Sequence, residues 1–375
     1  MTKSLIVGLA LSLAPSGSAG CASAPVDNHG REAPLAMPAL PSATAAAGPF
    51  VYIANQEAAS VSVIDMSTHM ISQIIDLEAM GFGSNAKPHD IAVEPDGSFW
   101  YVSLIAANRV LKFDRDNEMV ANVEFERPGL LALHPTEDWL FVGRSMAAVN
   151  PPQRIGRIDR STMKMEEFDV YVPRPHALEV SPNGSTVYVG SLAENTIVVV
   201  DAESGEADLL RLEAIQPHVL VQFAISPDGS TLVATGELSA SLLVFDITGD
   251  MPRLVDEIDV GARPWHPTYT PDGGEVWFGT LGTDAVAVVS TSDWSVSYIT
   301  GDGVAEPHGS GISPDGRYVF VSNRNTNEAF HAERDFGFET PTATLVVIDA
   351  SSREIVAVVE IPPYGAGVGL ASRPR

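Results

Sequence analysis

Six copies of one short phrase, a spacing of roughly 40–50 residues between them, and a recurrent strand ending in aspartate predict an all-β chain closed into a ring of seven four-stranded blades, a β-propeller. The phrase is a proline, usually a histidine, an apolar run, and then Pro-Asp-Gly or a relative. It reads Pro88-His89 to Pro95-Asp96-Gly97, Pro175-His176 to Pro182-Asn183-Gly184, Pro217-His218 to Pro227-Asp228-Gly229, Pro264-Trp265-His266 to Pro271-Asp272-Gly273, and Pro307-His308 to Pro314-Asp315-Gly316. A worn copy runs from Pro128-Gly129 to Pro135-Thr136-Glu137.

Each turn joins an apolar first strand, such as Asp90-Ile91-Ala92-Val93, to an aromatic-rich second one, such as Phe99-Trp100-Tyr101-Val102. A third alternating strand follows and ends in Asp65, Asp114, Asp159, Asp201, Asp246 or Asp349, with Ser290 standing in once. These aspartates recur too regularly to be catalytic, and they are expected to accept backbone hydrogen bonds in the following turns. A fourth strand, such as Ile71-Ser72-Gln73-Ile74-Ile75, closes each unit. Counting third strands gives seven blades. The blade that lacks a full phrase is expected to be split, with strands from residues 50–77 and an innermost strand at 368–372 supplied by the far end, which removes exposed edges.

The chain starts with Lys3 and an apolar stretch from Leu5 to Leu13 followed by small residues, the pattern of an export signal. Its single cysteine, Cys21, follows Ser18-Ala19-Gly20, which resembles the lipobox of bacterial lipoproteins apart from Ser18, where a leucine is usual. Ala22-Ser23-Ala24 offers an ordinary cleavage site as the alternative. The expected organisation is a signal peptide with lipobox at 1–21, an Ala/Pro-rich disordered tether at 22–49 and a propeller at 50–375. Either processing route predicts an exported protein, periplasmic or at the cell surface if Cys21 is lipidated and soluble if it is not. With that cysteine spent, a metal has only His, carboxylate or Met to hold it.

The 375 residues carry 48 acidic and 22 basic side chains, for a formal net charge of −26. Such a surface repels phosphate backbones and anionic lipids, so a nucleic-acid partner is not expected and contact with membrane is expected only through the N-terminal lipid. A monomer is expected. Nucleotide-binding and serine-hydrolase motifs are absent from the sequence.

The repeats resemble the YVTN family of seven-bladed propellers through Tyr52-Ile53-Ala54-Asn55, Tyr188-Val189-Gly190-Ser191 and Phe320-Val321-Ser322-Asn323. The resemblance implies the fold and leaves function open, because similar propellers serve as scaffolds, lyases, haem d1 carriers and copper-cluster domains. It extends in fold to the haem d1 domain of cytochrome cd1 nitrite reductase and the propeller domain of nitrous-oxide reductase. This chain lacks the adjacent histidine pairs expected of the latter.

Entry to an inner strand lies on one face of a propeller, so His89, His176, His218, His266 and His308 are expected at one mouth of the channel. His89, His176 and His308 share a register and are the leading metal ligands. His218 lies three residues further from its turn and His266 is displaced by one, which makes them second choices. Converging imidazoles without thiolate suit copper, zinc or iron, with haem d1 as a lesser possibility. Lys87, Arg127, Arg174 and Arg263 precede the prolines and are expected to form a basic collar for a small anion or ligand carboxylates. Two enlarged loops, 145–153 and 323–343, open on the same face. The second carries Arg324, Glu328, His331, Arg334 and Asp335; Arg324 is a further candidate ligand-binding cation beside the collar, and His331 is a candidate to close the site as a lid. His29, His69 and His134 are expected to be solvated.

The functional expectation is a transition metal, or a metal-bearing or anionic small ligand, on the histidine face. Two alternatives stand beside it. One is a non-enzymatic scaffold that grips an envelope protein or polymer; the other is a lyase or hydrolase pairing a histidine with Glu306 or Glu237.

Overall fold

The structure, a computed structural model, describes residues 49–371 apart from Ile215. The signal, the tether and Cys21 lie outside the described residues. Seven separate four-stranded antiparallel sheets are present, and six of them use consecutive strands. The seventh pairs Gly365–Leu370 with Phe50–Asn55, followed by Ser60–Asp65 and Met70–Asp76. Val51 faces Leu370 and Asn55 faces Gly365 in the register of this seam. The ring therefore closes as expected, with the innermost strand starting three residues earlier than 368.

The remaining inner strands are Pro88–Val93, Pro128–Leu133, Pro175–Val180, Leu220–Ile225, Thr268–Tyr269 and Pro307–Ile312. Blade 6 departs from its siblings. Its entry proline, Pro264, has counterparts in full-length siblings, but a second proline, Pro267, is peculiar to it, and its inner strand shrinks to two residues plus one isolated bridge between Pro264 and Thr280.

The core lies between blades. Tyr52 of blade 1 stacks on Trp100 of blade 2 at 4.7 Å between ring centroids, and Trp100 stacks in turn on Phe113 at 4.1 Å. Trp100, Trp277, Phe141, Phe245, Phe278 and Phe320 are fully buried on second or third strands, and Phe223 joins them from the inner strand of blade 5.

Below the ring, the third-strand aspartates accept the backbone bonds expected of them. Asp65 takes the amides of Ser67 and Thr68 at 2.8 and 2.9 Å, Asp201 that of Ser204 at 2.7 Å, and Asp246 that of Thr248 at 3.0 Å. His134 is not solvated. It is buried, with Nε2 at 2.8 Å from the Gly184 carbonyl and Nδ1 accepting the amide of Glu137 at 2.7 Å, so it joins the blade 3 turn to blade 4 from a position its siblings fill with Glu, Ser or Thr. His69 is half-buried edge-on against Tyr318. Both were misplaced by their position in turns, because in a propeller the turns of adjacent blades touch.

Candidate functional site: the histidine mouth of the hub

Each inner strand is entered through a residue in the left-handed region. Lys87, Arg127, Arg174, Val219, Arg263, Glu306 and Tyr364 have φ between 48° and 65°, and none is glycine. Such a backbone is strained for a side-chain-bearing residue. The strain is held by one repeated bond: the carbonyl of each accepts the amide that follows the neighbouring second strand, from Ile105, Ser145, Leu192, Glu237, Leu281, Arg324 and Gln56 respectively, at 2.8–3.1 Å.

This sevenfold bond aligns the blades without reference to sequence. The position two residues after the strained one holds His89, Gly129, His176, Val221, Trp265, His308 and Ala366 around the hub. Blade 5 is therefore offset: Val219-Leu220 matches Lys87-Pro88, and Pro217-His218 precedes it. His218 is turned aside, with Nδ1 2.9 Å from Ser239 Oγ, and it makes no ring contact with the other histidines. His266 follows Trp265 and still reaches the mouth.

Four imidazoles form a chain across the hub. Ring centroids of His176 and His89 are 6.0 Å apart, His89 and His308 5.9 Å, and His308 and His266 4.7 Å. Gly129 and Ala366 make the first two approaches possible, since they fall between these histidines in blade order. A Cβ at Gly129 would stand 2.6 Å from the Arg144 carbonyl oxygen, so no side chain is admissible there.

His176 Nδ1 is 2.7 Å from the carbonyl oxygen of Arg144, and His89 Nδ1 is 3.1 Å from Gln56 Oε1. Both partners are acceptors, which places the proton on Nδ1 and leaves Nε2 as a lone pair. The Nε2 atoms of His89, His176, His266 and His308, and Nδ1 of His308, are buried without a hydrogen-bond partner. Burial holds all four rings neutral: His176 is lowered to about 4 and His266 to about 3, and His89 and His308 fall well below the ordinary value, the Arg324 charge adding to the effect at His89, His266 and His308.

The basic collar is largely spent on the protein itself. Lys87 pairs with Glu57, Arg263 with Glu237 at 2.9 Å, and Arg174 donates to the Met146 carbonyl. Arg127 is exposed. Arg324 is the exception, lying over the rings of Trp265 and Tyr364 at 4.5 and 4.7 Å and making no hydrogen bond or ion pair through its guanidinium among the described residues. Met146, from the shorter enlarged loop, packs on Val221, Trp265 and Leu281 beside it.

The longer loop begins at Arg324 but carries His331 elsewhere. His331 lines a cavity of about 880 Å³ with His69, Phe330, Arg334 and Glu360, and no hub histidine lines that cavity. Glu306 is occupied by the Thr326 and Asn327 amides, at 2.6 and 3.1 Å, so neither it nor Glu237 is hydrogen-bonded to an imidazole.

Two carboxylates that the sequence pattern does not single out complete the hub. Asp90 follows His89 and accepts the Leu131 amide at 2.8 Å; Glu179 lies further along the blade 4 strand. Burial pushes both up to about 7, and the Asp90 charge adds to the shift of Glu179. In a chain this acidic, nothing in composition marks them. Tyr364 and Gln56 were hidden for another reason, since blade 1 is split and its entry, Tyr364-Gly365-Ala366, has lost both proline and histidine.

Among the described residues, no three His, Cys, Asp or Glu side chains have their donor atoms already gathered for a metal ion. Ion binding at this mouth thus entails rotation of the imidazoles.

No protein-family model matches the chain. Similar solved structures are propellers. A chain of the hydrazine synthase of Kuenenia stuttgartiensis aligns with TM-score 0.61 at 21% identity, covering 76% of this chain and 90% of that one. A streptogramin B lyase aligns with TM-score 0.61 at 17% identity over 73% and 86% of the two chains. A functionally unknown protein from Desulfotomaculum acetoxidans DSM 771 aligns with TM-score 0.65 at 14% identity over 88% and 100%. Likeness at these identities establishes the seven-bladed fold and no activity.

Proposed function

We propose that this propeller, read as an exported protein of the YVTN type, uses the histidine mouth of its hub as a ligand site, and that a transition-metal ion is the ligand its nitrogens suit. The observation that supports the reading is the set of bare, neutral imidazole nitrogens. Burying a polar nitrogen without a partner costs roughly 1–3 kcal/mol, and several such atoms share one small space here. Neutral imidazole is a strong ligand for copper, zinc and iron, and His176 and His89 are already held in the tautomer that presents Nε2.

His89, His176 and His308 are the proposed ligands, with His266 as a fourth. At a metal–nitrogen distance of about 2.0–2.1 Å, two imidazoles on one tetrahedral ion have ring centroids roughly 5 Å apart, close to the 4.7–6.0 Å of the three consecutive pairs, and rotation of the rings would have to close the remaining pairs. That spacing suits a single ion and not a macrocycle, so the proposal is a bare ion. When bound, it would supply Lewis acidity or a redox centre. The protein's part is to hold the imidazoles neutral and to shelter them under Arg324, Trp265 and Met146.

The test is elemental analysis of the full chain purified without chelator or polyhistidine tag, before and after reloading with copper, zinc and iron. About one ion per chain is expected, lost in the His89→Ala/His176→Ala double variant with folding retained. Equal metal content in that variant, or no uptake by the unaltered chain, removes the metal reading.

A further inference from the structure

The hub mouth carries two kinds of bare nitrogen, and only one kind suits a metal. The lone pairs lie on His89 and His176. Beyond His308 stand two buried groups that can only donate, Trp265 Nε1–H and Arg324 Nε–H, and neither has an acceptor. The Trp265 and His308 rings are 4.5 Å apart between centroids, and His308, with both nitrogens unpartnered, offers one further N–H in its neutral form.

Arg324 is the more unusual of the two. With 48 acidic residues in the chain, an arginine has ready access to carboxylates, and Arg144, Arg154, Arg157, Arg160, Arg253, Arg263 and Arg353 each meet one. Among the described residues Arg324 meets none; Glu306 and Glu237 act on it through space, but their carboxylates are engaged by Thr326 and Asn327 and by Arg263. Arg324 is half-buried, its Nε is closed off from water, and a donor buried without a partner is costly. Its Cζ lies over the Trp265 and Tyr364 rings, which leaves an edge of the guanidinium to offer, and a planar row of N–H groups is complementary to a carboxylate.

We infer that the hub mouth binds the carboxylate of a small ligand, held by the edge of Arg324 with Trp265 Nε1–H and His308 as further donors. The inference rests on the reading of the mouth as a ligand site and does not require the metal. If an ion occupies the lone pairs of His89 and His176, the carboxylate lies beside it and balances its charge.

Acetate is the probe, titrated calorimetrically into the full chain at pH 7 and constant ionic strength, first metal-free and then reloaded. One site per chain is expected in the metal-free protein. Arg324→Gln and Arg324→Lys are expected to weaken it by about tenfold or more, since the first removes the charge and the second the fork. Trp265→Phe, which keeps the stacking face and deletes one donor, is expected to weaken it several-fold, and it serves where Arg324→Gln disturbs folding. His331→Ala, at a residue that lines a different cavity, is expected to bind acetate undiminished.

Acetate binding by a chain that takes up no metal retains this inference and retires the metal reading. Metal uptake without acetate binding does the reverse. No acetate binding in either state, or equal affinity in the Arg324 variants, overturns the carboxylate site.

Discussion

His176 Nδ1 lies 2.7 Å from the carbonyl oxygen of Arg144, a bond from blade 4 to blade 3 at the hub. It fixes the tautomer, and the surrounding burial lowers the ring to about 4 against an ordinary 6.5. A folded value below the unfolded one means that the unfolded chain binds more protons between the two. Stability is full above pH 6.5 and is lost as the pH falls toward 4. His176 alone accounts for a swing on the order of 3 kcal/mol. Urea unfolding of metal-free protein at pH 4.5 and 7 should show the loss, and His176→Gln should shrink it. An unchanged pH dependence in that variant would show that the ring titrates normally.

Arg144 is held by more than its carbonyl. Its side chain is 1% exposed, donates to the Glu126 carbonyl at 2.6 Å and to Glu167 at 2.8 Å, and covers the Phe125 ring at 3.8 Å. Arg144→Ala would leave an acceptor unmet and a cavity under blade 3, so a loss of about 3–5 kcal/mol is expected. The carbonyl that positions His176 is backbone and remains. Histidine nitrogen shifts in the variant should therefore still report the Nδ1–H form even as the unfolding midpoint drops.

Much of the fold was legible because turn chemistry repeats more faithfully than side-chain function. The five glycines of the Pro-Asp-Gly and Pro-Asn-Gly turns, Gly97, Gly184, Gly229, Gly273 and Gly316, all adopt φ between 65° and 78°. His89, His176, His266 and His308 meet at the hub as their shared entry position suggested. His218 misled because Pro217-His218 imitates the phrase three residues too early, whereas position in the ring is set by the backbone bond between Val219 and Glu237. Arg324 could be named from its loop, but its isolation from the carboxylates of the described residues depends on which acids its neighbours had already taken. His331 sits near it in sequence yet lines a different cavity, since a long loop has room to leave the hub.

Closure of the ring depends on small residues in the last strand. A Cβ at Gly367 would stand 2.6 Å from the His89 carbonyl oxygen and 2.7 Å from Asp90 Cα, and neither is the free end of a side chain. Gly367→Val is expected to push the inner strands of blades 1 and 2 apart and to cost several kcal/mol. The seam joins the two ends of the chain, so the weakened strand should fray first. Hydrogen exchange at the amides of Gly365–Leu370 and Phe50–Asn55 should accelerate ahead of blades 4 and 5, and uniform acceleration would place the damage elsewhere.

The buried carboxylates titrate with the opposite sign. Asp90 and Glu179 are raised to about 7 from 3.8 and 4.5, so they hold protons in the folded chain that the unfolded chain has released. Their contribution is full below about pH 4 and is lost as the pH rises through 7. Between pH 4 and 6.5 four depressed imidazoles oppose two raised carboxylates, and the imidazoles prevail. Above pH 6.5 only the carboxylates of these six groups still titrate, so the hub's own contribution to the stability of the metal-free chain is greatest near pH 6.5. Asp90→Asn keeps an oxygen for the Leu131 amide while removing the charge, and Glu179→Gln does the same for the Val180 amide. Both variants are expected to gain stability at pH 8, on the order of 1–3 kcal/mol, and to gain little at pH 4.5. Equal effects at the two pH values would mean that the carboxyl groups are ionised throughout and that the channel around them is wet enough to solvate them.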